Sequence, residues 1–136
     1  MKLTRKTVLE KWGADWRTLR SWNRDLSEVT VEVSDREHPN RLGTCWSHEQ
    51  RLVVYKGDSI HGELDTLLHE FAHAATIGDG HGLAWQGVYA AAIEEVTGVP
   101  IPRAVNNYQL LCWSGKKAVK SWWVNSGHDF LWRMCK

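Results

Sequence analysis

The run His69-Glu70-Phe71-Ala72-His73 holds two imidazoles four residues apart, with a carboxylate directly after the first. On a helix, residues i and i+4 lie one above the other on one face, so His69 and His73 can converge on one metal ion. Glu70 falls about 100° further round the same helix. From there its carboxylate can reach a water at the metal without becoming a ligand. Zinc suits imidazole donors and lowers the pKa of a bound water to about 7, which leaves the carboxylate to pass a proton from that water to a leaving amine. The chemistry implied is hydrolysis of a peptide bond without a covalent intermediate, with Zn2+ as cofactor and Glu70 as acid/base. Five-residue patterns do arise by chance in a chain with seven histidines. Here the apolar residues around the motif fit an amphipathic helix, the one conformation in which the motif works.

A catalytic zinc takes three protein ligands and keeps a further position for water. The nearest third ligand is His81. Seven residues separate it from His73, and Gly78, Gly80 and Gly82 surround it. Those glycines allow a tight reversal that points a side chain at the start of the next helix back to the metal. Asp79 competes for the same role, or accepts the second ring proton of a ligating histidine. His38, His48, His61 and His128 read individually as surface or core histidines.

These residues need a helix between two reversals, and the pattern supplies one. After Gly57-Asp58-Ser59, the positions Leu64, Leu67, Leu68, Phe71, Ala72 and Ala75 form one apolar stripe. Gly78-Asp79-Gly80 ends it. A second helix is expected from near Gly82 through Leu83, Trp85, Val88, Tyr89, Ala92 and Ile93 to Gly98, with Pro100 beyond. Upstream, Val8, Leu9, Trp12, Trp16 and Leu19 predict a helix from Thr4 to about Trp22, weakened at Gly13. Val29 to Val33 alternates like a half-buried strand. Leu42 to Trp46 and Arg51 to Tyr55 flank Ser47-His48-Glu49-Gln50 as a hairpin. Downstream, Arg103 to Leu111 is read as helix and Val119 to Val124 as strand. The expected fold is α+β: a small three-stranded antiparallel sheet packed on a zincin-type active-site helix and flanking helices.

Length and composition bound the rest. The 136 residues suffice for one domain with a real core, read as a single unit over 1–136 with its centre at about 29–98. Apolar residues make up 43% and charged ones 24%, which argues against wholesale disorder. No apolar run approaches the roughly 20 residues of a membrane span, and the start carries no apolar signal region, so a cytoplasmic protein without membrane contact is expected. Cys45, Cys112 and Cys135 are widely spaced and read as reduced, mostly buried thiols rather than a disulfide framework or zinc ribbon. The net charge of +1 hides an asymmetry: both ends are basic and the centre acidic. The ends also hold seven of the nine tryptophans: Trp12, Trp16, Trp22, Trp113, Trp122, Trp123 and Trp132. The common role for such residues is packing onto the central domain. Interleaved with basic side chains they also suit single-stranded nucleic acid, and Lys116, Lys117, Lys120, Trp122 and Trp123 are the residues that would contact single-stranded or damaged DNA.

A hairpin with Gly43-Thr44-Cys45, then Leu67-Leu68-His69-Glu70-Phe71-Ala72-His73, then Gly80-His81-Gly82 opening a helix with Trp85, resembles the SprT-like (Spartan-related) zinc metallopeptidases over roughly Val29 to Gly98. The resemblance implies His69, His73 and His81 as zinc ligands, Glu70 as the catalytic acid/base, and a protein substrate. Better known members cleave proteins crosslinked to DNA. Here the His73 to His81 interval is short and no C-terminal zinc ribbon is present, so DNA contact would fall to the basic, Trp-rich ends. Two other readings compete. Repressor-cleaving peptidases of mobile elements use a similar helix but draw the third ligand from a later acid, for which Glu94 and Glu95 are available. A non-catalytic zinc-containing DNA-binding or inhibitor module would close the site with a fourth ligand such as His61 or His128.

Overall fold

The three strands divide by burial, and that division sets the order of the sheet. In β3 (Arg51–Val54) Leu52, Val53 and Val54 are all buried, as befits a strand covered on both faces, whereas β1 (Thr30–Val33) and β2 (Gly43–Trp46) have no buried position. β3 therefore takes the centre, in the order β1-β3-β2. β2 and β3 form the expected antiparallel hairpin, with Cys45 opposite Leu52. β1 runs parallel to β3, with Val31 opposite Leu52. The sheet is thus mixed rather than antiparallel throughout. The continuous apolar run of β3 suits a central strand, and the alternation in β1 suits an edge.

The structure is a computed structural model that describes residues 4–103 and 107–128. Cys135 and Trp132 lie outside them, as does part of the helix expected over residues 103–111. Four helices accompany the sheet in an α+β fold. α1 (Arg5–Trp16) starts at Thr4, whose side chain exchanges capping hydrogen bonds with Thr7. It runs through Gly13, which sits against Val31 of β1, and stops at Trp16, short of the expected Trp22. The chain folds back there: the indole N–H of Trp22 donates to the Trp16 carbonyl at 2.6 Å, after a short 3-10 turn over Arg20–Trp22.

α2 (Ile60–Ala75) is capped by the Ser59 hydroxyl on Gly62 N–H. Its stripe of Leu64, Leu67, Leu68, Phe71 and Ala72 is fully buried. It is the hub, packed on β2, β3, α1, α3 and α4. α3 (Leu83–Thr97) ends at Gly98, whose φ of 74° is the left-handed cap expected of a glycine there. α4 (Tyr108–Trp122) overturns the strand expected at Val119 to Val124. Leu111, Gly115, Ala118 and Val119 are buried at helical spacing, so the amphipathic period outweighs the local β-branched pair. A single π-helical stretch over Trp123–Gly127 follows.

The two ends of the described chain meet through tryptophan. Trp122 of α4 packs edge-on against Trp12 at 5.1 Å and lies 5.9 Å from Trp16. Trp12 and Trp16 stack at 5.5 Å. Offset and edge contacts of this kind add to the area that aromatic rings bury. Cys45 and Cys112 are half-buried rather than buried, and free. Among the described residues no helix is long and apolar enough to cross a membrane.

Candidate metal centre

The reversal after α2 brings His81 back over the motif. Gly78 and Gly80 adopt φ of 85° and 62°, a region that other residues rarely enter. The carboxylate of Asp79 accepts the backbone N–H of Trp85 at 2.9 Å. It caps the first turn of α3, so Asp79 holds the loop and does not join the histidines. The Gln86 amide donates to the His81 carbonyl at 2.9 Å and fixes the backbone from the other side.

His81 Nε2 ends 3.1 Å from both His69 Nε2 and His73 Nε2. The three ring nitrogens all lie within 4.8 Å of one another. Two nitrogens on a tetrahedral zinc at about 2.05 Å are separated by about 3.3 Å, so the His81 pairs have the spacing that a shared ion requires. The protonation chemistry agrees. His81 Nε2 faces two other ring nitrogens and a neutral imidazole carries one N–H, so one proton cannot satisfy both contacts. A cation in the middle satisfies all three lone pairs.

Burial keeps the donors neutral. It pushes the His69 pKa down to about 3, helped by His73, His81 and Lys116. Burial and His81 push His73 down to about 4, and burial lowers His81. Trp85, fully buried at the start of α3, packs against all three rings. Its ring meets His69 edge-on at 4.6 Å, stacks on His73 at 5.4 Å and meets His81 edge-on at 4.8 Å. Its indole N–H donates to the His69 carbonyl. Tyr89 stacks in turn on Trp85 with planes 8° apart.

Glu70 is 6% exposed and lines the same cleft, a cavity of about 570 Å³ between α2, β2 and α4. Burial lifts its pKa to about 8 against the pull of Arg41. A dication, if His69, His73 and His81 held one, would favour the ionised form of the Glu70 carboxylate. The backbone of Gly43 presses on Glu70: a Cβ there would lie 3.0 Å from Glu70 Oε2 and 2.7 Å from Thr66 Cγ2. β2 is the edge strand on this side of the sheet, and Gly43, Thr44 and Cys45 line the cleft.

Tyr108 was not singled out from the sequence. It opens α4, stacks on His81 at 4.3 Å, and sets its hydroxyl 3.4 Å from His81 Nε2. Burial, with Cys112 and nearby acids, raises its pKa, so the phenol stays protonated and remains a donor. Its only advance signal was an aromatic within the helix expected over residues 103–111, which is not specific. Behind the site, Tyr89 donates to the fully buried Asp65 at 2.5 Å. Gly115 of α4 makes room for that hydroxyl, since a Cβ there would lie 2.2 Å from it.

The alternative ligands are engaged elsewhere. Glu94 pairs with Arg103, and Glu95 accepts from Ser21 and the Arg20 backbone. His128 packs edge-on against Trp123. His61 lines a neighbouring groove. Among the described residues the histidine trio is the one cluster able to hold a metal ion, and it is open to the cleft. Of the residues considered for DNA contact, Lys116, Lys117 and Lys120 are exposed. Trp123 is 8% exposed, and Trp122 is half-buried in the tryptophan cluster. Trp113, 60% exposed, is the aromatic beside those lysines. The chain matches no family model, no curated protein and no solved structure.

Proposed function

We propose that the protein is a zinc-dependent metalloendopeptidase of the SprT-like type, with zincin-type packing of α2 against the sheet. His69, His73 and His81 would hold the ion, and Glu70 is the acid/base. The observation that carries this reading is the convergence of three neutral imidazoles beside a buried carboxylate in an open cleft. When bound, zinc supplies a Lewis acid that polarises the carbonyl and acidifies water.

The remaining work belongs to side chains and backbone of this chain. An extended substrate can lie along the outer strand β2 and use its main-chain groups, which brings a peptide bond across the cleft. Glu70 takes a proton from the attacking water and returns it to the leaving nitrogen. The protonated Tyr108 hydroxyl donates towards the carbonyl oxygen as negative charge develops there. Trp85 excludes water behind the ligands and keeps their rings in place. A cytoplasmic setting belongs to the same proposal, and the unpaired state of Cys45 and Cys112 agrees with it.

The test pairs the wild type with Glu70→Gln. Both are expected to carry one zinc, and only the wild type to cleave an unfolded protein substrate. Two metal-free proteins, or equal cleavage by both, would end the reading. The same assay with single-stranded DNA assigns the substrate class: stimulation points to DNA-associated proteins, an unchanged rate to substrates off DNA.

A further inference from the structure

A second groove, of about 350 Å³, continues from the metal cleft and shares Leu42, Thr66 and Lys116 with it. We propose that this groove is an accessory subsite that takes an acidic stretch of polypeptide, with a neighbouring apolar side chain, from the substrate lying in the cleft. One wall is α4, where Lys116, Lys117 and Lys120 stand exposed beside Trp113. Lys117 Nζ lies 5.1 Å from the Trp113 ring centre, so the ring is held against a cation while 60% of the residue stays exposed. Leu42 and Tyr55 supply further apolar surface.

The groove also receives the start of α2 at Ser59 and His61, where backbone N–H groups favour negative charge. Burial, with Lys120 nearby, lowers the His61 pKa and keeps that ring neutral, so the lysines are the cations of this wall.

The opposite wall decides between a peptide and a nucleic acid. Asp58 and Glu63 line it. Glu63 is paired with Arg5, and Asp58 is exposed. Each phosphate of a nucleic-acid strand carries a charge, so a strand filling the groove would also bring charge against Asp58, whereas a peptide can set one or two acidic side chains on the lysine wall and neutral ones opposite. Continuity with the cleft at Leu42 and Lys116 makes the occupant part of the substrate. That last step rests on the endopeptidase reading, while the preference for acidic peptide does not.

The experiment uses the full chain with Glu70→Gln, loaded with zinc, so that binding is read without turnover. The probe is a fluorescein-labelled, unstructured peptide with two glutamates next to a phenylalanine, compared with its glutamine counterpart. The glutamate peptide is expected to bind about tenfold tighter at low salt, in keeping with several partly exposed charge pairs. Combined Lys116→Ala, Lys117→Ala and Lys120→Ala should equalise the two peptides, and Trp113→Ala should weaken both alike. Equal binding without the lysine changes overturns the proposal. So does tighter binding of an oligothymidylate of similar length that is lost in the same variants, which would make the groove a nucleic-acid site. With Glu70 intact, the preference should appear in KM rather than kcat. A wild type that binds with the acidic preference yet cleaves nothing rejects the peptidase reading alone, and cleavage without the preference rejects the groove alone.

Discussion

Replacing Gly43 with alanine tests the site through a residue that carries no chemistry of its own. The added Cβ would lie 2.7 Å from Thr66 Cγ2 and 3.0 Å from both Cγ and Oε2 of Glu70, where ordinary contact begins near 3.4 Å. The Gly43 φ is outside the left-handed region, so alanine meets no backbone penalty and the effect is steric. Thr66 is 5% exposed and hydrogen-bonded to the Gly62 carbonyl, so Glu70 and β2 must do much of the moving. Overpacking a tight interior costs about 1–3 kcal/mol. A misplacement of about 1 Å at a reacting group costs about 100-fold, so a shift of roughly half that should cost about tenfold. We expect Gly43→Ala to melt several degrees lower, to keep its zinc, and to lose about tenfold in kcat on a fluorogenic peptide. Wild-type kcat with an unchanged melting temperature would show that β2 does not position Glu70. Loss of zinc in step with activity would show that the damage reached the histidines instead.

Three other perturbations separate the roles. His81→Ala should bind zinc at least about 100-fold more weakly, beyond what outer partners of a metal site contribute. Full zinc occupancy and activity in that variant would move the third ligand elsewhere. Tyr108→Phe should lower kcat by about 100-fold or more with zinc content and KM little changed. A KM effect alone would make Tyr108 a packing residue for His81. Asp65 gives a pH signature: burial raises its pKa from 3.8 to about 7, against the Tyr89 hydrogen bond and Lys116. The folded state then holds a proton that the unfolded state has released, so the stabilisation present below the unfolded pKa is lost as pH rises through the folded value. The loss across about pH 4 to 7 is on the order of 4 kcal/mol at most. Asp65→Asn should remove this dependence and be the more stable protein at pH 8. Melts of both proteins across that range, taken as a difference, cancel the histidine contributions, and parallel curves would refute the assignment.

The parts of this fold that were legible in the sequence are those with a strong local period. The stripe of α2, the glycine cap of α3 and the hairpin between β2 and β3 each appear near their expected places, because each is encoded within a dozen residues or so of chain. The sheet order was not local. Whether β1 joins the hairpin beside β2 or beside β3 depends on which strand α2 and α1 cover, and the fully buried Leu52-Val53-Val54 run settles it only once those helices are in place. α4 misled for a related reason. Val119 sits in a stretch with β-branched and aromatic neighbours, yet it is buried as one of a helical set with Leu111, Gly115 and Ala118.

The site shows the same division between what a spacing encodes and what packing adds. The relation of His69, Glu70 and His73 follows from helical geometry alone, and the glycines around His81 hinted at the reversal. The working state of those residues comes from partners far along the chain. Trp85 desolvates the histidines and Tyr108 stacks on the one that closes the set. The desolvation that keeps three imidazoles neutral also lifts Glu70 to about 8. Without a cation the same burial favours neutral imidazoles and a protonated Glu70 carboxyl, a poor base. A cation among the histidines would favour the ionised carboxylate, so the proposed mechanism expects metal binding to release a proton and to make Glu70 available as a base.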